Sequence, residues 1–256
     1  MKTTEKNFFG AVLIGLLTLL SASAHARESY PPLPEALEAL QSDNEVTVTT
    51  GTFPLPLKNP YYYAFEPAGA APEKGFIIYP GGKVDARSYA PTARAIARAG
   101  YLTVIAAMPD DLAMEGWARA HTIIARYKDI KTWAIGGHSM GGSFACKFAQ
   151  RLTWEVDGVI LWASWPSFFF NLKYKPLKAI SIYGSEDGYP DEIESGARQL
   201  PPGTEFVKIE GGNHTQFGYY DTAPEPQQEH DNPALIPREE QQRQIVEATV
   251  TFLDRL

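Results

Sequence analysis

Apolar residues occur along this chain in short blocks of two kinds, and their alternation predicts the architecture. Phe76–Tyr79, Leu102–Ala106, Thr132–Ile135, Val159–Ala163, Leu177–Tyr183 and Glu205–Ile209 are brief runs rich in branched and aromatic residues, bounded by Gly, Pro or polar turns. Such runs read as buried strands. Longer stretches between them read as helices: Tyr89–Ala99, stopped by Gly100, then Leu112–Tyr127 and Ser143–Ala149. Glu239–Leu256 closes the chain as a helix, with Ile245, Val246, Ala248, Thr249, Phe252, Leu253 and Leu256 at helical spacing. Glu45–Thr50 alternates like an exposed edge strand, and Pro60–Phe65 is its expected partner. Strands alternating with helices predict an α/β fold, a doubly wound and mostly parallel sheet with helices on both faces. No internal repeat and no second domain interrupts the pattern, so residues 27–256 read as one domain.

The first 26 residues break the pattern. Lys2 and Lys6 precede the apolar run Phe8–Leu20, and Ala24-His25-Ala26 supplies small residues at a cleavage site. This is the form of a signal peptide, too short in its apolar part to span a membrane. The expectation is cleavage after Ala26, export to a periplasmic or extracellular space, and no stable membrane anchor. The formal charge of the 256-residue chain is -7, which disfavours nucleic acid and anionic membrane as partners. The one cysteine, Cys146, excludes an intramolecular disulfide and reads as a small core residue.

The chemistry concentrates around Gly137-His138-Ser139-Met140-Gly141. This Gly-x-Ser-x-Gly lies between the Thr132–Ile135 strand and the Ser143–Ala149 helix, the setting of a nucleophile elbow. Ser139 is the candidate nucleophile, and the flanking glycines allow a sharp turn with close backbone approach. A serine needs a base, and the base an orienting acid, in the chain order Ser, Asp or Glu, His. Of five histidines, only His214 and His230 follow the serine. His214 leaves the end of the Glu205–Ile209 strand, where such sites collect their residues. His230 lies in a polar stretch with no strand to position it. His138 is expected to point away from the serine. Asp187, just beyond Leu177–Tyr183, is the candidate acid, with Glu186 the alternative. Met140 N–H is one candidate oxyanion donor. The other comes from Pro80-Gly81-Gly82-Lys83, from Gly82 first and Lys83 second.

Tyr79-Pro-Gly-Gly-Lys-Val-Asp85, Gly136-Gly-His-Ser-Met-Gly-Gly142, Tyr183-Gly-Ser-Glu-Asp-Gly188 and Gly211-Gly-Asn-His-Thr-Gln-Phe-Gly218 resemble the four signature segments of an alpha/beta-hydrolase group. The group is the small, cap-less kind near dienelactone hydrolases and chlorophyllase-like esterases. The resemblance runs from about Gly75 to the C-terminus. It implies Ser139, Asp187 and His214 as a triad, and a serine hydrolase that needs no cofactor. It departs from true dienelactone hydrolases, which carry cysteine at the nucleophile, and that argues against a dienelactone substrate.

Only Ser164–Pro176 separates two of the strands, too little for the helical lid that many hydrolases of this fold insert there. Its aromatic residues, Trp165 and Phe168 foremost, together with Phe217 beyond the histidine, are the candidate walls of a substrate pocket. The long stretch Asp221–Pro237 reads as a solvated connection, and no metal-ligand spacing is present. The expected activity is cleavage of a small-molecule carboxylic ester. Lactone, amide and thioester hydrolysis are alternatives, as is a non-catalytic binding module on the same scaffold.

Overall fold

In the computed structural model, residues 29–54, 58–69, 71–220 and 231–256 are described. The signal-like segment with His25, and His230, lie outside them. Eight strands make one sheet: β1 Val46–Thr52, β2 Tyr61–Pro67, β3 Lys74–Tyr79, β4 Leu102–Ala106, β5 Thr132–His138, β6 Gly158–Trp162, β7 Lys178–Gly184 and β8 Glu205–Ile209. Their spatial order is β1-β2-β4-β3-β5-β6-β7-β8. The β1–β2 and β2–β4 pairs are antiparallel, and the rest of the sheet is parallel. The helices are α1 Pro34–Glu38, α2 Ala90–Arg98, α3 Ala113–Gly116, α4 Arg119–Arg126, α5 Met140–Arg151, α6 Pro190–Gly196 and α7 Arg238–Asp254. Among the described residues no helix is long and apolar enough to cross a membrane.

The period-2 alternation of strand side chains sorts the core into two layers. Phe76, Ile78, Ile160, Trp162, Ile180 and Ile182 pack on one face with residues of α2 and α7. Ile77, Tyr79, Val159 and Leu161 face the other way, toward α4 and α5. Strands buried on both faces are why the sequence shows continuous apolar runs rather than alternation. Trp162 Nε1 donates to Thr249 Oγ1 at 3.2 Å, tying the sheet to α7.

Two departures from the expected elements bear on the site. The single helix expected over Leu112–Tyr127 is broken into α3 and α4. At the break, Tyr79 Oη donates to Trp117 O at 2.6 Å and accepts from Ala120 N–H at 3.1 Å. A core phenol thus satisfies backbone groups that a continuous helix would have paired internally. The unforeseen α6 follows the Asp187 turn. It buries only Ile193 and Gly196, too little for a visible period, and Pro190 with Asp191 and Glu192 makes its favourable first turn. The segment Tyr30-Pro31-Pro32-Leu33 ahead of α1 is docked as well: Tyr30 N–H donates to Lys83 O at 2.7 Å, and Leu33 N–H to Tyr219 O at 2.9 Å.

Candidate active site

Ser139 stands between the end of β5 and the start of α5 with φ +52° and ψ -122°. A non-glycine residue there is strained, and such strain persists only where the surroundings impose it. Ser139 N–H donates to Trp162 O at 3.0 Å, and its carbonyl accepts from Ser164 Oγ at 2.6 Å and Ser143 N–H at 3.2 Å. The glycines permit the turn. A Cβ on Gly137 would lie 2.0 Å from Tyr79 O, and one on Gly141 would lie 2.1 Å from Tyr79 O and 2.4 Å from Pro80 O. Ser139 Oγ makes no hydrogen bond to a described residue.

Asp187 and His214 leave the C-terminal ends of neighbouring strands β7 and β8 and meet. His214 Nδ1 is 3.2 Å from each Asp187 carboxylate oxygen, and both residues are only 3% exposed. Asp187 Oδ1 also accepts from Tyr189 N–H at 3.0 Å. The arrangement places a proton on His214 Nδ1 and leaves Nε2 as an acceptor. Glu186, the alternative acid, turns elsewhere and accepts from Ser185 Oγ at 3.0 Å.

The loop that carries His214 is held from two sides. From α7, Gln241 Oε1 accepts from Asn213 N–H at 3.0 Å, and its Nε2 donates to Asn213 O at 2.7 Å. Gln242 Nε2 donates to Gln216 O at 2.6 Å. From the opposite side, Asp231 accepts from His214 N–H at 2.8 Å, Thr215 N–H at 2.8 Å and Thr215 Oγ1 at 2.6 Å. Burial pushes the Asp231 carboxyl above its usual range. The described end of the expected solvated connection is therefore structural: Asn232 N–H reaches Glu186 O, and Leu235 N–H reaches Gly211 O. Its polarity concealed this, because the anchoring groups are hydrogen-bonding rather than apolar.

Beside the elbow, the loop after β3 offers three backbone donors in succession. Gly81 N–H is taken by Tyr89 Oη at 2.9 Å, and Lys83 N–H by Asp111 O at 2.8 Å. Gly82 N–H has no acceptor among the described residues. Gly82 adjoins Met140, since a Cβ there would lie 3.1 Å from Met140 Cε. Met140 N–H opens α5, where the first amides have no partner within the helix.

Sequence reasoning missed His138, Tyr89 and Tyr189. His138 does not point away from the site. Its ring centroid is 4.6 Å from that of His214, and its Nδ1 is 2.9 Å from Tyr89 Oη. Tyr189 meets the His214 ring edge to face at 5.2 Å. A phenol in a predicted helix carries no signal of such a role.

The three expected pocket residues fare differently. Trp165 is partly exposed and 5.5 Å from Tyr189, so it reaches the base through one ring. Phe168 is 87% exposed and pairs edge to face with Phe169 at 5.6 Å. Phe217 is a correction. It is fully buried and stacks on His138 with rings 5.8 Å apart and 6° from parallel, so it packs against the neighbour of His214 and presents no surface to a ligand. Among the described residues no three His, Cys, Asp or Glu side chains are grouped to hold a metal ion. His121 pairs with Glu155 at 2.7 Å.

Residues 75–243 match the alpha/beta hydrolase family, and the chain belongs to it. Similar solved structures include an arylesterase, 11% identical, covering 86% of this chain and 89% of its own with a TM-score of 0.63. A predicted CIB-like hydrolase from Thermoplasma acidophilum is 16% identical, covering 82% of this chain and 100% of its own with a TM-score of 0.59. A protein named as a dienelactone hydrolase from Klebsiella pneumoniae is 12% identical, covering 83% and 100% with a TM-score of 0.60. At these identities the likeness establishes the fold. None of the curated proteins compared with this chain matches it.

Proposed function

We propose that this alpha/beta hydrolase is an exported serine esterase that cleaves small carboxylic esters through an acyl-enzyme. The observation that carries the reading is the buried Asp187–His214 pair, whose imidazole packs against the His138 ring, the residue preceding a serine held in strained geometry. Ser139 Oγ attacks the acyl carbon while His214 Nε2 takes its proton. Asp187 keeps the His214 proton on Nδ1 and stabilises the imidazolium. Gly82 N–H, without an acceptor among the described residues, and Met140 N–H at the start of α5 receive the oxyanion, a contribution of about 2.7–4 kcal/mol per donor. The imidazolium then protonates the departing alcohol, and water repeats the sequence on the acyl-enzyme. Ser139 Oγ is not hydrogen-bonded to His214 in this structure, and in proteins without substrate such catalytic hydrogen bonds are often long and tighten only when substrate is seated. Tyr189 packs on the His214 ring, and Trp165 packs on Tyr189. The leader-like residues 1–26 support export.

The test is labelling with a fluorophosphonate together with hydrolysis of p-nitrophenyl acetate. Wild type should be labelled at Ser139 and be active. Ser139→Ala should lose the label and nearly all turnover, since loss of a triad member costs up to about a millionfold. An active Ser139→Ala protein removes the mechanism.

A further inference from the structure

Tyr89 and His138 form a buried polar pair that the acyl-transfer steps above do not use. Both are essentially inaccessible to solvent. Tyr89 Oη accepts from Gly81 N–H at 2.9 Å and lies 2.9 Å from His138 Nδ1. Burial, reinforced by Tyr220, pushes the phenol well above its usual range, so it keeps its proton. Burial and then the neighbouring His214 hold the His138 imidazole well below its usual range, so it is neutral. One arrangement of the two neutral groups leaves the buried phenol proton with a partner. Gly81 fills an acceptor position on the phenol, the phenol donates its only proton to Nδ1, and the His138 proton resides on Nε2. That Nε2 is buried and has no hydrogen-bond partner among the described residues. The contact is close on the other side as well, since a Cβ on Gly81 would lie 2.8 Å from His138 Nδ1 and 3.0 Å from Tyr89 Oη.

The residue before the nucleophile therefore touches both halves of the site. Through Tyr89 it holds the loop whose next amide, Gly82 N–H, has no acceptor among the described residues. Through its ring it seats His214. We infer that Tyr89 and His138 are positioning residues, which fix the oxyanion-donor loop and the base relative to each other across the elbow. The inference rests on the reading of Ser139, His214 and Gly82 as the reacting groups. It adds that the separation between donor and base is set by two side chains that touch neither substrate nor reacting atom. Side chains that served only as packing would alter stability and leave the chemical step alone.

The test uses Tyr89→Phe, which keeps the ring and drops the oxygen, and His138→Gln, which drops the ring and its Nδ1 acceptor. With p-nitrophenyl acetate well below the melting temperature, each should lower kcat on the order of 10- to 100-fold with KM nearly unchanged, the scale of a small misplacement of catalytic groups. The rate of fluorophosphonate labelling at Ser139 should fall by the same factor, because that reaction uses the base and oxyanion donors without an acyl pocket. The double variant should be no slower than the slower single one, because either change breaks the same connection. A Tyr89→Phe enzyme with a lowered melting temperature but wild-type kcat and labelling rate overturns the inference. That result leaves the serine mechanism standing, which only Ser139→Ala decides. Nitrogen NMR of histidine-labelled wild type gives a check that needs no variant. The His138 proton should be on Nε2, and a proton on Nδ1 overturns the arrangement.

Discussion

Asp231→Ala removes one carboxylate and leaves three donors without their acceptor. Asp231 receives His214 N–H at 2.8 Å, Thr215 N–H at 2.8 Å and Thr215 Oγ1 at 2.6 Å. The hydroxyl can turn to another partner, but the two amides cannot. A buried donor left without a partner costs about 1–3 kcal/mol, so two cost roughly 2–6 kcal/mol. Two effects reduce this. Desolvation is the largest influence on the Asp231 carboxyl, so deleting it returns part of its burial cost. The cavity edged by Asn213, Thr215, Gln216, Asn232 and Arg238 is polar and admits water to the donors. The expected net loss of stability is therefore roughly 2–4 kcal/mol. Turnover should fall further than stability alone explains, because one amide belongs to His214 itself, and a shift of about 1 Å can cost about a hundredfold. Asp231→Asn should fall between the two, since its amide oxygen replaces one acceptor while its NH2 confronts the other donor. Urea unfolding followed by tryptophan fluorescence gives the stability, and p-nitrophenyl acetate hydrolysis gives the turnover. An Ala variant within about 0.5 kcal/mol of wild type and fully active would refute the reasoning.

Other substitutions probe the site at separate points. Asp187→Asn should reduce turnover by about ten-thousandfold through loss of the correct imidazole tautomer, whereas Glu186→Gln should remain close to wild type; the reverse pattern in steady-state assays would exchange their roles. Gly141→Ala should yield little folded protein or an enzyme with negligible turnover, because its Cβ would stand 2.1 Å from Tyr79 O; a soluble variant with wild-type kcat would contradict the close approach of the elbow to β3. Burial pushes the Cys146 thiol well above its usual range, so iodoacetamide at pH 8 should leave native protein unmodified and label it in urea; rapid native labelling, read by intact mass, would show that the α5 core opens readily.

The parts of this molecule that repeat a short physical pattern were legible in its residues. The central strands announced themselves as apolar runs because both faces of the sheet are covered. Ser139, Asp187 and His214 could be ordered because each leaves the end of a strand, and the structure brings Asp187 and His214 into contact. Gly82 emerged from its neighbours, once Tyr89 and Asp111 were seen to occupy the amides on either side. What was not legible depends on contacts between residues far apart in the chain. Tyr79 ending a helix at Trp117, Phe217 disappearing behind His138, and Asp231 anchoring the base loop are all of this type. Periodicity reports which face of an element is buried, but not which distant group lies against it. The polar connection misled for the same reason, since a carboxylate that faces backbone amides looks in sequence like one that faces water.

Gln241 and Gln242 of α7 make the loop that carries His214 depend on a helix far along the chain from the elbow. Ser139, Gly82 and Met140 all lie more than a hundred residues before Gln241. His214 follows, but the amide and carbonyl of Asn213 wait for Gln241. Until that helix has docked, the His214 loop lacks the two hydrogen bonds that fix Asn213, and on the proposed mechanism the strained serine waits for its base. Fraying of the same helix from the folded protein would extinguish activity while the sheet, and most optical signs of folding, remained intact.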